Sequence, residues 1–92
     1  MNSEPDVADS IAVAVLAVPG VSGLHPGMFG EVGTYLPGHR VVGVRVGDAG
    51  TDIHVTVTTE ASIDDTAARI RAAVAHLVTG TVNVTVEDIV EH

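Results

Sequence analysis

The chain has no cysteine, no lysine and no tryptophan, and Phe29 and Tyr35 are its only phenylalanine and tyrosine. Without cysteine it forms no disulfide, offers no thiolate to a metal and carries no thiol nucleophile. With four arginines against twelve acids the net charge is -8, a balance that repels a phosphate backbone and argues against nucleic acid as a partner. A long hydrophobic run is missing too. The nearest thing to one, Val7 to Val18, is interrupted by Asp9 and Ser10 and closed by Pro19, well short of the roughly 20 apolar residues that cross a bilayer. Glu4 and Asp6 stand before it, where a secretory signal would carry positive charge. These absences predict a cytoplasmic chain with no direct membrane insertion, in which the sequon Asn83-Val84-Thr85 is accidental.

What is present is aliphatic. Hydrophobic residues make up 46% of the 92 residues and aromatics 2%, so the core must be valine, isoleucine, leucine and alanine. Valine favours strands. A chain of this length forms one domain, 1–92, and buries roughly 60 to 70% of the surface its unfolded form exposes, enough for one two-layer core. Ser3 with Asp6, and Pro5 in the first turn, mark a helix start, and Pro19-Gly20 marks its end. The spacing predicts a helix over 4–18 with a buried stripe of Val7, Ile11, Ala14, Val15 and Val18. Val13, Leu16 and Ala17 extend its apolar surface beyond that stripe, as in a helix covered on a second side.

Further along, Val42, Val44 and Val46 alternate with Val41, Gly43 and Arg45, and Ile53, Val55 and Val57 alternate with His54, Thr56 and Thr58. They predict strands over 41–47 and 52–59, joined as a hairpin. Ser62 and Asp65 cap a helix over 63–79, with a stripe of Ile63, Ala67, Ile70, Val74, Leu77 and Val78; Val82, Val84 and Val86 set a last strand over 81–88. The expected fold is α+β: a two-layer sandwich in the order helix, strand, strand, helix, strand, with a three-stranded mixed sheet and two helices on one face. The other face would show Val41, Arg45, His54, Thr56, Thr58, Asn83, Thr85 and Glu87.

Residues 19–40 have no sustained period and predict a loop without regular structure beyond a short turn at Glu31 to Tyr35. The loop holds Gly20, Gly23, Gly27, Gly30, Gly33 and Gly38, and both aromatics. A loop of this length in a compact domain generally has a use. Its Met28, Phe29, Tyr35 and Leu36 either cover the first helix or anchor a partner, since aromatics and methionine are enriched at interface cores.

Gly27-Met28-Phe29-Gly30 has the spacing of a KH-type nucleic-acid clamp, but such a clamp joins two helices and carries basic residues, whereas this chain is acidic. The separations of His25, His39, His54 and His76 include no short ligand pair of the kind zinc sites use, although Arg45 and His54 are expected as neighbours on the open sheet face. Ser22, His25 and Glu31, or Ser62, His76 and Asp64, can be assembled on paper as triads, yet nothing marks a nucleophile elbow or an oxyanion site. The element order matches iron-sulfur scaffold domains, which work through cysteines that are missing here. The expectation is a non-enzyme with no catalytic, metal or cofactor-binding residues; the alternative is a small metal-binding or catalytic domain using the loop histidines, or a KH-like module.

AVLAVPGVSGLHPG, then GEVGTYLPG, the strand VVGVRV and the closing VNVTVEDIV together resemble the alkaline shock protein family, the Gls-type envelope stress response proteins of Gram-positive bacteria. The resemblance covers nearly the whole chain. It implies a non-enzymatic cytoplasmic interaction protein that self-associates and is held at the inner membrane face by a membrane-anchored partner. Leu16, Met28, Phe29, Tyr35 and Leu36 are the expected partner-binding set. Self-association is expected through the first helix and this loop, because burying apolar area contributes about 25 cal/mol per Å2 whereas threonine hydroxyls on the open sheet face must first lose water.

Overall fold

The computed structural model describes residues 6–91. The first helix, α1, runs Val7–Leu16, and its N-cap is Asp6, whose Oδ1 accepts the Ala8 N–H at 2.9 Å. The expected start at residues 3–5 lies outside the described residues. Ile11, Val15 and Val18 are buried as predicted and Ala14 is partly buried against the core, but Ala8 takes the buried place at the start of the helix and Val7 is exposed. Val13 and Leu16 are 72% and 52% exposed. The second side of α1 is therefore open, not covered by the loop.

β5, Gly50–Thr58, is the strand around which the sheet is built. Its Thr51, Ile53, Val55 and Val57 are buried, and the alternate residues are half-buried on the other face. Two short strands share one edge of it, end to end and both antiparallel. β1, Val21–Leu24, lies opposite Val55 to Val57, and β4, Val44–Val46, lies opposite Thr51 to Ile53. On the other edge β6, Thr81–Val90, runs parallel to β5 along its whole length, with a bulge after Val86. A parallel pair needs a crossover, and α2, Ile63–Val74, supplies it. Ser62 caps α2 as predicted, its Oγ accepting the Asp65 N–H at 3.3 Å. Ile70 and Val74 of α2 join Ile11 and Val15 of α1 over Val44, Ile53, Val55 and Val57 in one cluster. The α+β fold with two helices on one face is thus observed; the mixed sheet has four strands in three positions.

The predicted loop is where the structure differs most. Besides β1 it contains a two-stranded hairpin, β2 Gly33–Leu36 and β3 His39–Val42, in register Thr34↔Val41 and Leu36↔His39. β2 occupies the place of the expected turn at Glu31 to Tyr35. Strands of four residues flanked by glycine are too short to show a period, which is why they read as loop.

The strand predicted over 41–47 is broken at Gly43, whose φ is +78°. A Cβ there would lie 2.8 Å from the His54 carbonyl and 3.0 Å from the backbone of His25. The break reverses the facing, so that Val41 and Val44 both enter the core while Val46 is 40% exposed; Val41 therefore does not belong to the open face. α2 ends at Val74 rather than 79, and Leu77 and Val78 cover the end of the core as an irregular turn before Gly80. Thr66 takes the buried position near its start, and Ile63 is 42% exposed. β6 extends two residues past the predicted 88, to Val90.

Candidate functional site

The feature that stands out is a turn between β1 and β2. Gly27 and Gly30 both have positive φ, and the Gly30 N–H bonds the Gly27 carbonyl at 3.1 Å. The Val32 N–H bonds the Pro26 carbonyl at 2.8 Å and closes the base of the turn. Two side chains hold it from within: His25 Nδ1 accepts the Gly27 N–H at 2.9 Å, and Glu31 Oε2 accepts the Phe29 N–H at 3.2 Å. The tip is thus fixed, and it points Met28 and Phe29 into solvent, 79% and 86% exposed. The hydrogen bonds restrain the backbone under these exposed apolar side chains, so a contact made there would have to order the two side chains and little of the backbone.

Arg40 joins this turn to the hairpin. Its Nη2 donates to the Gly30 carbonyl at 2.5 Å and to the Val32 carbonyl at 3.3 Å, and its guanidinium lies 5.1 Å from the centroid of the Tyr35 ring, a cation–π stack. Gly33 permits this close approach, since a Cβ there would sit 2.5 Å from Arg40 Nε. That Nε is buried without a hydrogen-bond partner. Tyr35 is 78% exposed beside it. Arg45 adds a further tie from β4, its Nη2 donating to the Glu31 carbonyl at 2.6 Å; across the sheet it lies opposite Asp52, diagonal to His54.

The five residues of the expected set therefore divide. Met28, Phe29 and Tyr35 are all exposed, and Arg40 connects the turn that carries the first two to the Tyr35 ring. Leu36 faces the opposite side of the hairpin and packs partly into the core. Leu16 lies on α1, on the stripe of Asp9 and Val13, and the hairpin meets that stripe at its Asp9 end, where His39 Nε2 stands 3.0 Å from Asp9 Oδ1. This hydrogen bond, and then the attraction of the same carboxylate, raises His39 above its ordinary value of 6.5. Sequence reasoning missed Arg40. The signal available was a lone cation five residues from the only tyrosine, which says nothing until the hairpin pairs Tyr35 with Arg40.

The chemical alternatives look different once the groups are placed. Gly27 to Gly30 joins two strands, not two helices, so the KH-type geometry is absent. His25 and Glu31 are engaged with the backbone of their own turn. Ser62 caps the start of α2 while His76 follows its end, roughly 20 Å away at 1.5 Å per helical residue. Among the described residues no three of His, Cys, Asp and Glu are grouped so as to hold a metal ion. On the open face His54 Nδ1 lies 2.6 Å from Glu87 Oε2, each side chain 19% exposed, and Asn83 Nδ2 donates to Asp52 Oδ1 at 3.0 Å; both pairs tie β5 to β6. No protein-family model, no curated protein and no solved structure matches this chain.

Proposed function

We propose that this protein is a non-enzymatic interaction module of the envelope stress type, which self-associates and uses the Met28, Phe29 and Tyr35 face to engage a membrane-anchored protein at the inner membrane face. The observation that carries the reading is the hydrogen-bonded turn that presents Met28 and Phe29 almost fully to solvent. The resemblance described above supports it. Among the described residues no helix is long and apolar enough to cross a membrane, so on this reading the membrane is reached through the partner.

Magnitudes set what the contact must include. Fully burying Met28 and Phe29 would contribute on the order of 3 to 6 kcal/mol, at the lower end of the roughly 4 to 15 kcal/mol that association costs in lost freedom. The two side chains alone do not hold a partner. Tyr35, already held by its stack on Arg40, extends the face, and a partner carrying a complementary apolar groove with a basic rim would suit an acidic chain. The test is crosslinking and affinity capture from the native cell with the wild type and with a Met28→Ser, Phe29→Ser variant. A membrane-anchored protein held by the first and lost by the second is the expected result. Capture of ribosomal or metabolic proteins only, or capture indifferent to the variant, overturns the proposal.

A further inference from the structure

The two edges of the sheet are treated differently. On the β1 and β4 side the strands have four and three residues, with a register irregularity within β1 and a positive-φ break at Gly43. The hairpin lies beside β4, where the Thr34 hydroxyl donates to the Val44 carbonyl at 2.6 Å. Short strands, bulges and a covering loop are the ways a protein keeps an edge from pairing. On the opposite side β6 has ten residues and pairs with β5 alone. Alternate N–H and C=O groups along it therefore face outward without a strand partner among the described residues. Its bulge and its acids, Glu87 and Asp88, sit in the last part. Thr81 to Val86, TVNVTV, has no charge, no proline and no glycine, the composition that pairs most readily.

We infer that this edge binds a second copy of the same chain, β6 antiparallel to β6 about a two-fold axis through Val84. The side chains and charges are self-complementary in that register. Val82, Val84 and Val86 are half-buried and packed against the core, while Thr81, Asn83 and Thr85 are exposed. With Val84 opposite Val84 of the second copy, Val82 meets Val86 and Asn83 meets Thr85, so both valine rows lie on the helix side of one continuous sheet. Glu87 then falls opposite Thr81 and Asp88 opposite Gly80, which separates the acids of the two copies. A parallel in-register pairing would instead stack Glu87 on Glu87 and Asp88 on Asp88, which is destabilising. The inference rests on the self-association proposed above and places its contact at β6 in place of α1 and the Met28 and Phe29 loop; it stands whether or not that loop binds a membrane-anchored partner.

The chain has no cysteine, so engineered cysteines report the register directly. Residues directly opposite in an antiparallel pair have Cα atoms about 4.5 to 5.5 Å apart, within the range a disulfide spans. A Val84→Cys variant is expected to form a reducible species of twice the 9.4 kDa chain mass under mild oxidation, and a Ser22→Cys variant, on the β1 edge, is not. Should Val84→Cys fail to fold, an Asn83→Cys, Thr85→Cys double variant on the open face reads the same register with two crosslinks. Light scattering of the wild type should give the mass of two chains, unchanged by Met28→Ser, Phe29→Ser. A folded wild type with the mass of one chain at submillimolar concentration overturns the inference and leaves the edge to a foreign strand. A two-chain mass with no crosslink in either β6 variant also overturns it, and loss of that mass on Phe29→Ser would move the contact to the turn.

Discussion

Gly43 offers the sharpest test of the architecture, because it sits where β4 meets the insertion and its backbone lies against β5 at His54 and against the insertion at Val32 and His25. Its N–H bonds the Val32 carbonyl at 2.9 Å and its carbonyl accepts the His54 N–H at 2.9 Å, while the His54 carbonyl accepts the His25 N–H at 2.8 Å. In Gly43→Ala the new methyl group meets backbone atoms at 2.8 to 3.0 Å, none of which can swing aside. The left-handed conformation costs about 1 to 2 kcal/mol for a residue with a Cβ, and overpacking adds about 1 to 3 kcal/mol. The expected loss is about 3 kcal/mol or more. Gly30→Ala is the internal control: its φ of +73° carries the same conformational cost, but its Cβ would have nothing within 4 Å, so about 1 kcal/mol is expected. Urea unfolding followed by far-ultraviolet circular dichroism at one protein concentration measures the difference. At about 1 kcal/mol per M for a chain this small, the two midpoints should differ by about 2 M. Equal midpoints would mean that the backbone at Gly43 is not packed against His54 of β5 and His25 just after β1, and the split edge would be wrong.

Two further outcomes are expected. Val55→Asp should leave the chain unfolded by circular dichroism, because Val55 is fully buried and an unpaired charge there costs several kcal/mol against a total of about 5 to 15; Thr56→Asp, on the open face, should fold, and the reverse pattern would shift the register by one residue. His39 has a folded pKa above its unfolded value of 6.5, so its bond to Asp9 stabilises fully below about pH 6.5 and fades as the pH rises through the folded pKa. An NMR titration of the His39 ring should move to lower pH in Asp9→Asn, and an unmoved titration would show that the hairpin is not tied to α1 through this pair.

The valine alternation of β5 and β6 and the Ser62 cap are readable in the chain because period and capping act over a few residues. The alternation around Gly43 misleads for a physical reason. Val42, Val44 and Val46 look like one face only if the backbone stays extended, and one left-handed residue turns the facing over. The hairpin escapes notice because its pairing partners, Tyr35 with Arg40 and Leu36 with His39, are polar on one side and glycine-flanked. At the site, Met28 and Phe29 can be picked from composition, but whether they cover α1 or face solvent depends on the Glu31 and His25 contacts to the turn backbone, which no spacing predicts. Leu36 shows the same limit from the other direction: its side of the hairpin is set by the register.

The split edge also has a meaning for how such a chain changes over time. Leu24 lies opposite Val55 and Val44 opposite Ile53, so the two ends of segment 25–43 rest about two residues apart along the same strand, as if one strand had been cut and a loop-out spliced into it. Apart from the Arg45 tie to Glu31, the contacts that present Met28, Phe29 and Tyr35 lie in that splice. Its length hardly enters the energetics of the sheet, since doubling a flexible connection costs only about 0.6 kcal/mol in closure entropy. The exposed turn is therefore free to change in length and sequence while β5 keeps its register, provided Val32 and Val41 keep their buried places.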